Sequence, residues 1–164
     1  MNIPVPERDR AYAYLGISGP GTADRLTELL GTEPDRSFSE GEIRVFAHNG
    51  EPVLDASGKP KCHGKARWEL HSPLSGDAHP NDHAEALLAR IEPVAEKLVS
   101  LPNMYERKFV VVSQGIQSCG IELTSQQLAR LGELGLCLWF DTYPHLDISD
   151  LIKGLTALQQ SQKA

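Results

Sequence analysis

The run Phe109 to Val112 (FVVV) constrains the fold more than any other part of the chain. It is an unbroken stretch of aromatic and β-branched residues, bounded by Arg107 and Lys108 on one side and by Gly115 on the other. Such side chains favour extended backbone, and a strand without polar alternation belongs inside a sheet with cover on both faces. The chain therefore builds a sheet around a central strand at Phe109–Val112. Its 164 residues suffice for a core without disulfide or metal staples, and with 40% hydrophobic and 23% charged residues the composition is that of an ordinary folded chain. The expectation is one domain over residues 1–164, with its core at about 11–158, a polar loop at 48–64 and a frayed tail at 159–164.

The remaining elements follow from periodicity and punctuation. Ala11 to Ile17 reads as a strand stopped by Ser18-Gly19-Pro20-Gly21. A helix follows with Thr22 as N-cap, Asp24 in the first turn, Leu26, Leu29 and Leu30 as its apolar stripe and Gly31 as C-cap. Glu42–Phe46 and Arg67–Leu70 suit strands, and Asn49-Gly50 and Ser57-Gly58 between them mark turns of a hairpin or protruding loop. Asn81 or Asp82 is positioned to cap the next helix, whose apolar residues run from Leu87 to Val99. Pro93 either kinks that helix or sits in the first turn of a second segment. Ile121–Leu123 reads as a short strand. Thr124 and Gln127 then form a capping box, with Leu128, Leu131 and Leu134 as the buried stripe and Gly135 as the stop.

Leu136 to Tyr143 (LCLWFDTY) is a last strand, with Leu136, Leu138 and Phe140 on one face and Cys137, Trp139, Asp141 and Tyr143 on the other. A final helical stripe comprises Ile148, Leu151, Ile152, Leu155 and Leu158. The order of elements suits an α+β fold, an antiparallel or mixed sheet with helices packed on one face in the manner of a split βαβ, ferredoxin-like sandwich.

These residues carry a family pattern. Tyr12–Gly19 (YAYLGISG), Leu26–Pro34 (LTELLGTEP), Trp68-Glu69-Leu70, Gly120–Leu128 (GIELTSQQL) and Leu134–Tyr143 occur in that order. Together they resemble the bacterial family known as domain of unknown function 4279. The resemblance implies a small α+β domain, bacterial and intracellular, with no activity to carry over, and it makes the loop from His48 to Gly64 a departure from a shorter connection.

Charge and cysteine usage exclude several function classes. A formal charge of -6 repels polyanions, and the densest basic stretch, Lys59, Lys61, Lys65 and Arg67, is flanked by Asp55 and Glu69 without interleaved aromatics. Nucleic acid is not an expected partner. Cys62, Cys119 and Cys137 show neither disulfide nor zinc-ribbon spacing, which fits a reducing cytoplasm. No run reaches the length of a membrane span.

Candidate chemistry is sparse. Gly16 to Gly21 precedes a helix but matches neither dinucleotide nor P-loop spacing, so it reads as a plain turn. His48, Cys62, His63, His79 and His83 have the look of zinc ligands, yet His79 precedes Pro80 and is biased away from the helix that would align it with His83. Cys119 lacks an assigned histidine partner, Ser113 at a strand end lacks the G-x-S-x-G elbow, and Cys137 reads as a small buried hydrophobe.

The one site constellation is Trp139, Asp141 and Tyr143, with Trp68 and Glu69 near it on a neighbouring strand; a carboxylate among aromatics needs a partner or a purpose. The expected function is a non-catalytic, protein-binding module of immunity or adaptor type, without cofactor or metal. The rival is a small-molecule-binding domain or small enzyme that uses Asp141 in an aromatic pocket.

Overall fold

The computed structural model describes residues 10–46, 49–115 and 120–144. The expected helix at Ile148–Leu158, together with His48 and Cys119, lies outside the described residues. The fold is α+β: a five-stranded mixed sheet, ordered β2-β3-β1-β4-β5, with helices against one face. Its strands are β1 (Arg10–Gly19), β2 (Arg36–Phe38), β3 (Ala66–His71), β4 (Glu106–Gly115) and β5 (Cys137–Pro144). The helices are α1 (Ala23–Leu30), α2 (Pro80–Ile91), α3 (Ala95–Val99) and α4 (Ser125–Glu133). None of the described helices is long and apolar enough to cross a membrane.

β4 is the interior strand that its composition demands. It pairs antiparallel with β1 and parallel with β5, and Phe109, Val110, Val111 and Val112 are all buried. The parallel pair β4–β5 is directly adjacent, with α4 in the connection, so these strands form an unsplit βαβ unit. The split, ferredoxin-like arrangement instead requires another strand between the parallel two. Ile121–Leu123, expected as a strand, has no ladder partner among the described residues. β5 occupies the position beside β4, and the segment is held instead by the Glu122 N–H donating to Asn81 Oδ1 at 3.0 Å.

Helix punctuation follows the sequence closely. Thr22 accepts from the Arg25 N–H, and Gly31 closes α1 at φ 68°, a left-handed conformation that a side chain would strain. In α4 the Thr124 hydroxyl accepts from the Gln127 N–H at 3.2 Å while Gln127 Oε1 accepts from the Thr124 N–H at 2.9 Å. A cap of this kind contributes about 1 kcal/mol. Leu131 and Leu134 are buried, but Leu128, one turn earlier, is exposed, so α4 hides only the C-terminal part of its stripe. His79, rather than Asn81 or Asp82, caps α2; its ring accepts from the Asn81 N–H with the backbone extended before Pro80. Pro93 sits in the first turn of a 3₁₀ segment, Glu92–Val94, that leads into α3.

The core fills one side of the sheet. Ala13, Leu15 and Ile17 of β1, Trp68 and Leu70 of β3, and Phe109 and Val111 of β4 meet Leu26 and Leu30 of α1, Leu87 and Ile91 of α2, and Leu98 of α3. Alternation along each strand sends the other residues to the opposite face, which no described helix covers.

Candidate functional site

The open face is built row by row from the ladder register. Arg36 of β2 lies opposite Glu69 of β3, which lies opposite Gly16 of β1, which lies opposite Lys108 of β4. In an adjoining row, His71, Tyr14, Val110 and Trp139 stand side by side across four strands. Chain segments that are remote in sequence therefore share one surface.

Its centre is a polar cluster around Glu69, whose residue exposure is only 4%. One carboxylate oxygen meets Arg67 Nε at 2.5 Å, and the other meets His71 Nε2 at 2.9 Å. Arg67 also donates to the Tyr14 hydroxyl at 3.1 Å and lies over the Tyr14 ring, while that ring stacks on His71 at 5.3 Å and on Tyr12 at 6.2 Å. Gly16 leaves the space this requires: a Cβ there would come within 3.3 Å of the Tyr14 ring. Burial pushes the Glu69 carboxyl up, but the hydrogen bond from His71 and the charges of Arg67 and Arg36 outweigh it and hold the group below its ordinary value. Glu69 is thus an ionised, doubly partnered carboxylate.

A three-sided excursion walls the cluster on the β2 side. Segments 42–46, 51–55 and 59–63 pair with one another in a ring, because Arg44 N–H donates to the Lys61 carbonyl, Lys61 N–H to that of Val53, and Val53 N–H to that of Arg44. The expected strand at Glu42–Phe46 is one side of this ring, joined by isolated bridges rather than by the main sheet. Between the excursion and the sheet lies a cleft of about 780 Å³ whose lining includes Tyr14, Arg36, Phe38, Arg44, Arg67 and Glu69. Phe38 and His63 stack within its wall at 3.5 Å. Desolvation depresses the His63 pKa, and the nearby Arg44, Arg36 and Arg67 add to that depression against the opposing charge of Glu42.

The sequence-derived site residues divide between locations. Trp139, Asp141 and Tyr143 do share the open face; the Tyr143 hydroxyl donates to Asp141 Oδ2 at 2.6 Å, and Lys108 Nζ lies 5.3 Å from the Trp139 ring centre. That hydrogen bond, followed by the charge of Asp141, raises the Tyr143 pKa. Glu69 is on the same face, but β1 and β4 separate β3 from β5, a span of roughly 14 Å at normal strand spacing. β3 is therefore not the neighbour of β5. Trp68 is turned to the other side and is fully buried in the core, as the two-residue period of a strand requires once Glu69 faces outward.

Tyr12 stands between the two groups. Burial raises its pKa, and Tyr14, Asp141 and Glu69 add to the rise. Sequence reasoning missed Tyr14, Arg36, Arg67 and His71. The alternation Arg67-x-Glu69-x-His71 was the available signal, a polar side of a half-buried strand.

The chain belongs to the family described as domain of unknown function (DUF4279). The family model matches residues 9–145, which takes in every strand of the sheet and all the cleft residues named above. No curated protein and no solved structure matches the chain.

Other candidate chemistries find their residues otherwise engaged. The start of α1 has no room for a phosphate: the Gly21 N–H donates to Glu40 Oε2 at 2.9 Å and the Ala23 N–H to Ser39 Oγ at 3.1 Å. His83 is buried in α2, its Nδ1 3.0 Å from Ser72 Oγ, whereas His79 is outside the helix as its cap, so the pair does not share a helix face. Among the described residues no three His, Cys, Asp or Glu side chains group as metal ligands. Cys137, expected to be buried, is exposed because it begins an edge strand.

Proposed function

We propose that this chain is a non-catalytic binding module that holds a segment of a partner protein in the cleft on its open sheet face. The observation that carries this reading is the division of labour among the cleft's polar groups. Glu69, Arg67, His71 and Tyr14 satisfy one another and form a fully paired floor, whereas the Arg36 and Arg44 side chains in the same lining donate to no described residue. A floor that is already satisfied is preorganised for recognition, because little ordering remains to be done when a ligand arrives. It is poorly suited to acid–base chemistry: a carboxylate held ionised by a guanidinium and an imidazole is a weak base.

We favour a protein segment over a small molecule because the lining of this cleft of about 780 Å³ includes the exposed apolar side chains of Ile43, Val45 and Phe46. The exposed, unpaired thiols of Cys62 and Cys137 suit a reducing cytoplasm, where we place this bacterial domain. A second reading, a small-molecule-binding domain, draws on a separate hollow of about 230 Å³ over Gly16, bounded by Tyr14, Lys108, Trp139 and Asp141.

The test is purification of the chain with its partner from the native cell, followed by hydrogen exchange on the complex. Protection is expected in β2, β3 and segment 41–63. Protection confined to α1, α3 and α4 would overturn the proposal.

A further inference from the structure

The cleft has a charge opposite to that of the molecule as a whole. The chain carries a formal charge of -6, yet the cleft lining includes Arg36, Arg44, Lys65 and Arg67 against only Glu42 and Glu69. These charges are not equivalent. Arg67 is neutralised by Glu69, and Lys65 reaches out to Glu106 at 3.0 Å. Glu42 turns back to accept from the Ser39 N–H at 2.8 Å. The guanidinium groups of Arg36 on β2 and Arg44 on the excursion make no hydrogen bond or ion pair among the described residues, and both line the cleft that also holds Phe38 and His63. The His63 pKa is depressed, first by burial and then by the charges of Arg44, Arg36 and Arg67, which all line the same cleft.

Two guanidinium groups without a hydrogen bond or ion pair among the described residues, carried by different segments of the lining, call for acceptors from a ligand. A planar fork of donors matches a carboxylate in a bidentate manner, and its weak hydration makes it the cation of choice at a partly buried interface. The apolar rim of Ile43, Val45 and Phe46 adds the second half of the specification, since these side chains are 47%, 54% and 45% exposed. Accepting the cleft as the binding site, we propose that it selects an acidic segment of the partner protein in which carboxylate side chains alternate with apolar ones, the carboxylates pairing with Arg36 and Arg44 and the apolar groups covering the rim. Glu69 takes no part in contacting that segment. It positions Arg67 and, by cancelling its charge, limits how many carboxylates the cleft accepts.

The test uses the full chain and synthetic peptides blocked at both ends: one alternating Glu with Leu, one in which Gln replaces every Glu, and one in which Lys does. Citrate serves as the small polycarboxylate. Affinity is measured by calorimetry and location by amide chemical shifts. The acidic peptide is expected to bind with shifts at Phe38, Arg44 and His63, to weaken as salt rises, and to lose at least about tenfold in affinity in the double variant Arg36→Glu/Arg44→Glu. Arg25→Glu on exposed α1, the control for net charge, should bind as the parent does.

Equal binding of the Gln peptide at the same residues would overturn the acidic specificity while leaving the cleft as the binding site. Citrate binding as tightly as the acidic peptide would replace a protein segment by a small polyanion. If no peptide binds and the native partner protects only the helix layer, both this proposal and the binding module it rests on are lost.

Discussion

The two faces of β1 differ in kind. Ala13, Leu15 and Ile17 point into the helix-covered core and are fully buried, while Tyr12, Tyr14 and Ser18 between them point to the open face among arginines and carboxylates. One strand therefore belongs to two kinds of interior. On the covered side, contacts are interchangeable in character and stability scales with the apolar area removed from water. On the open side the polar groups around Glu69 answer particular partners: Arg67 to Glu69, Glu69 to His71, Arg67 to Tyr14. The covered face can accept a different side chain of like volume, whereas the open face loses a specific bond with almost any change.

That contrast can be broken most decisively at Trp68, which packs wholly on the covered side with an indole N–H that has no hydrogen-bond partner among the described residues. Trp68→Ala should cost about 3–5 kcal/mol, enough to unfold much of the population, whereas Trp68→Phe should cost far less because packing alone holds the residue. Urea titration of both variants checks this; similar losses in the two would mean that the covered face is as specific as the open one.

One residue further along, Glu69→Gln removes the charge that Arg67 and His71 share. The expected loss is about 2 kcal/mol, below the figure for a fully buried pair because Arg67 is partly exposed. A loss below about 0.5 kcal/mol, within the range of ordinary surface changes, would show that the open cluster adds little to the fold.

Acid should separate the faces in two steps. His83, in the core layer, has its pKa lowered by burial against the opposing effects of Ser75 and Asp82, so the unfolded chain takes up a proton first. Its contribution is complete above the ordinary value near 6.5 and is lost as pH falls through the lower, folded pKa. Glu69 is likewise lowered in the fold, so its contribution is present above the ordinary 4.5 and disappears at more acid pH. Denaturant midpoints measured across this range should fall twice. His83→Leu should abolish the first fall and Glu69→Gln the second; a first fall that survives His83→Leu assigns it elsewhere.

The smallest effect is expected at Asp141→Asn. The carboxylate accepts from Tyr143, which is half exposed, and an exposed interaction of this kind is worth less than about 0.5 kcal/mol. Thermal melting should hardly move. A large loss would make the β5 end of the open face a structural anchor rather than a surface.

Local chemistry explains which features were legible in the sequence. The capping box at Thr124 and Gln127, the Thr22 cap and the apolar run of β4 depend on residues within a few positions of one another, and each lies where the sequence puts it. Leu128 and Ile121–Leu123 misled because short apolar patterns do not reveal whether a neighbour is present to cover or pair with them. The polar cluster was hidden for a related reason. Tyr14 meets Arg67 across 53 positions of sequence, a distance that only the register of β1 against β3 closes. Trp68 and Glu69 were grouped by adjacency, although strand alternation separates adjacent residues as surely as it unites alternate ones.

The excursion at 41–63 leaves the sheet and comes back to its own starting point. The Gly41 N–H donates to the His63 carbonyl, and the His63 N–H donates to the Glu42 carbonyl, both at 2.8 Å. Its two stems touch, its described backbone bonds form a ring of their own, and the Phe38–His63 stack fastens it to β2, so the segment is built largely on itself. A tight turn could replace it without moving a strand, and a cassette of different sequence could be seated on the same stems. Relatives could thus exchange one wall of the cleft while keeping its floor, so that new binding preferences arise by swapping a part rather than by redesigning a domain.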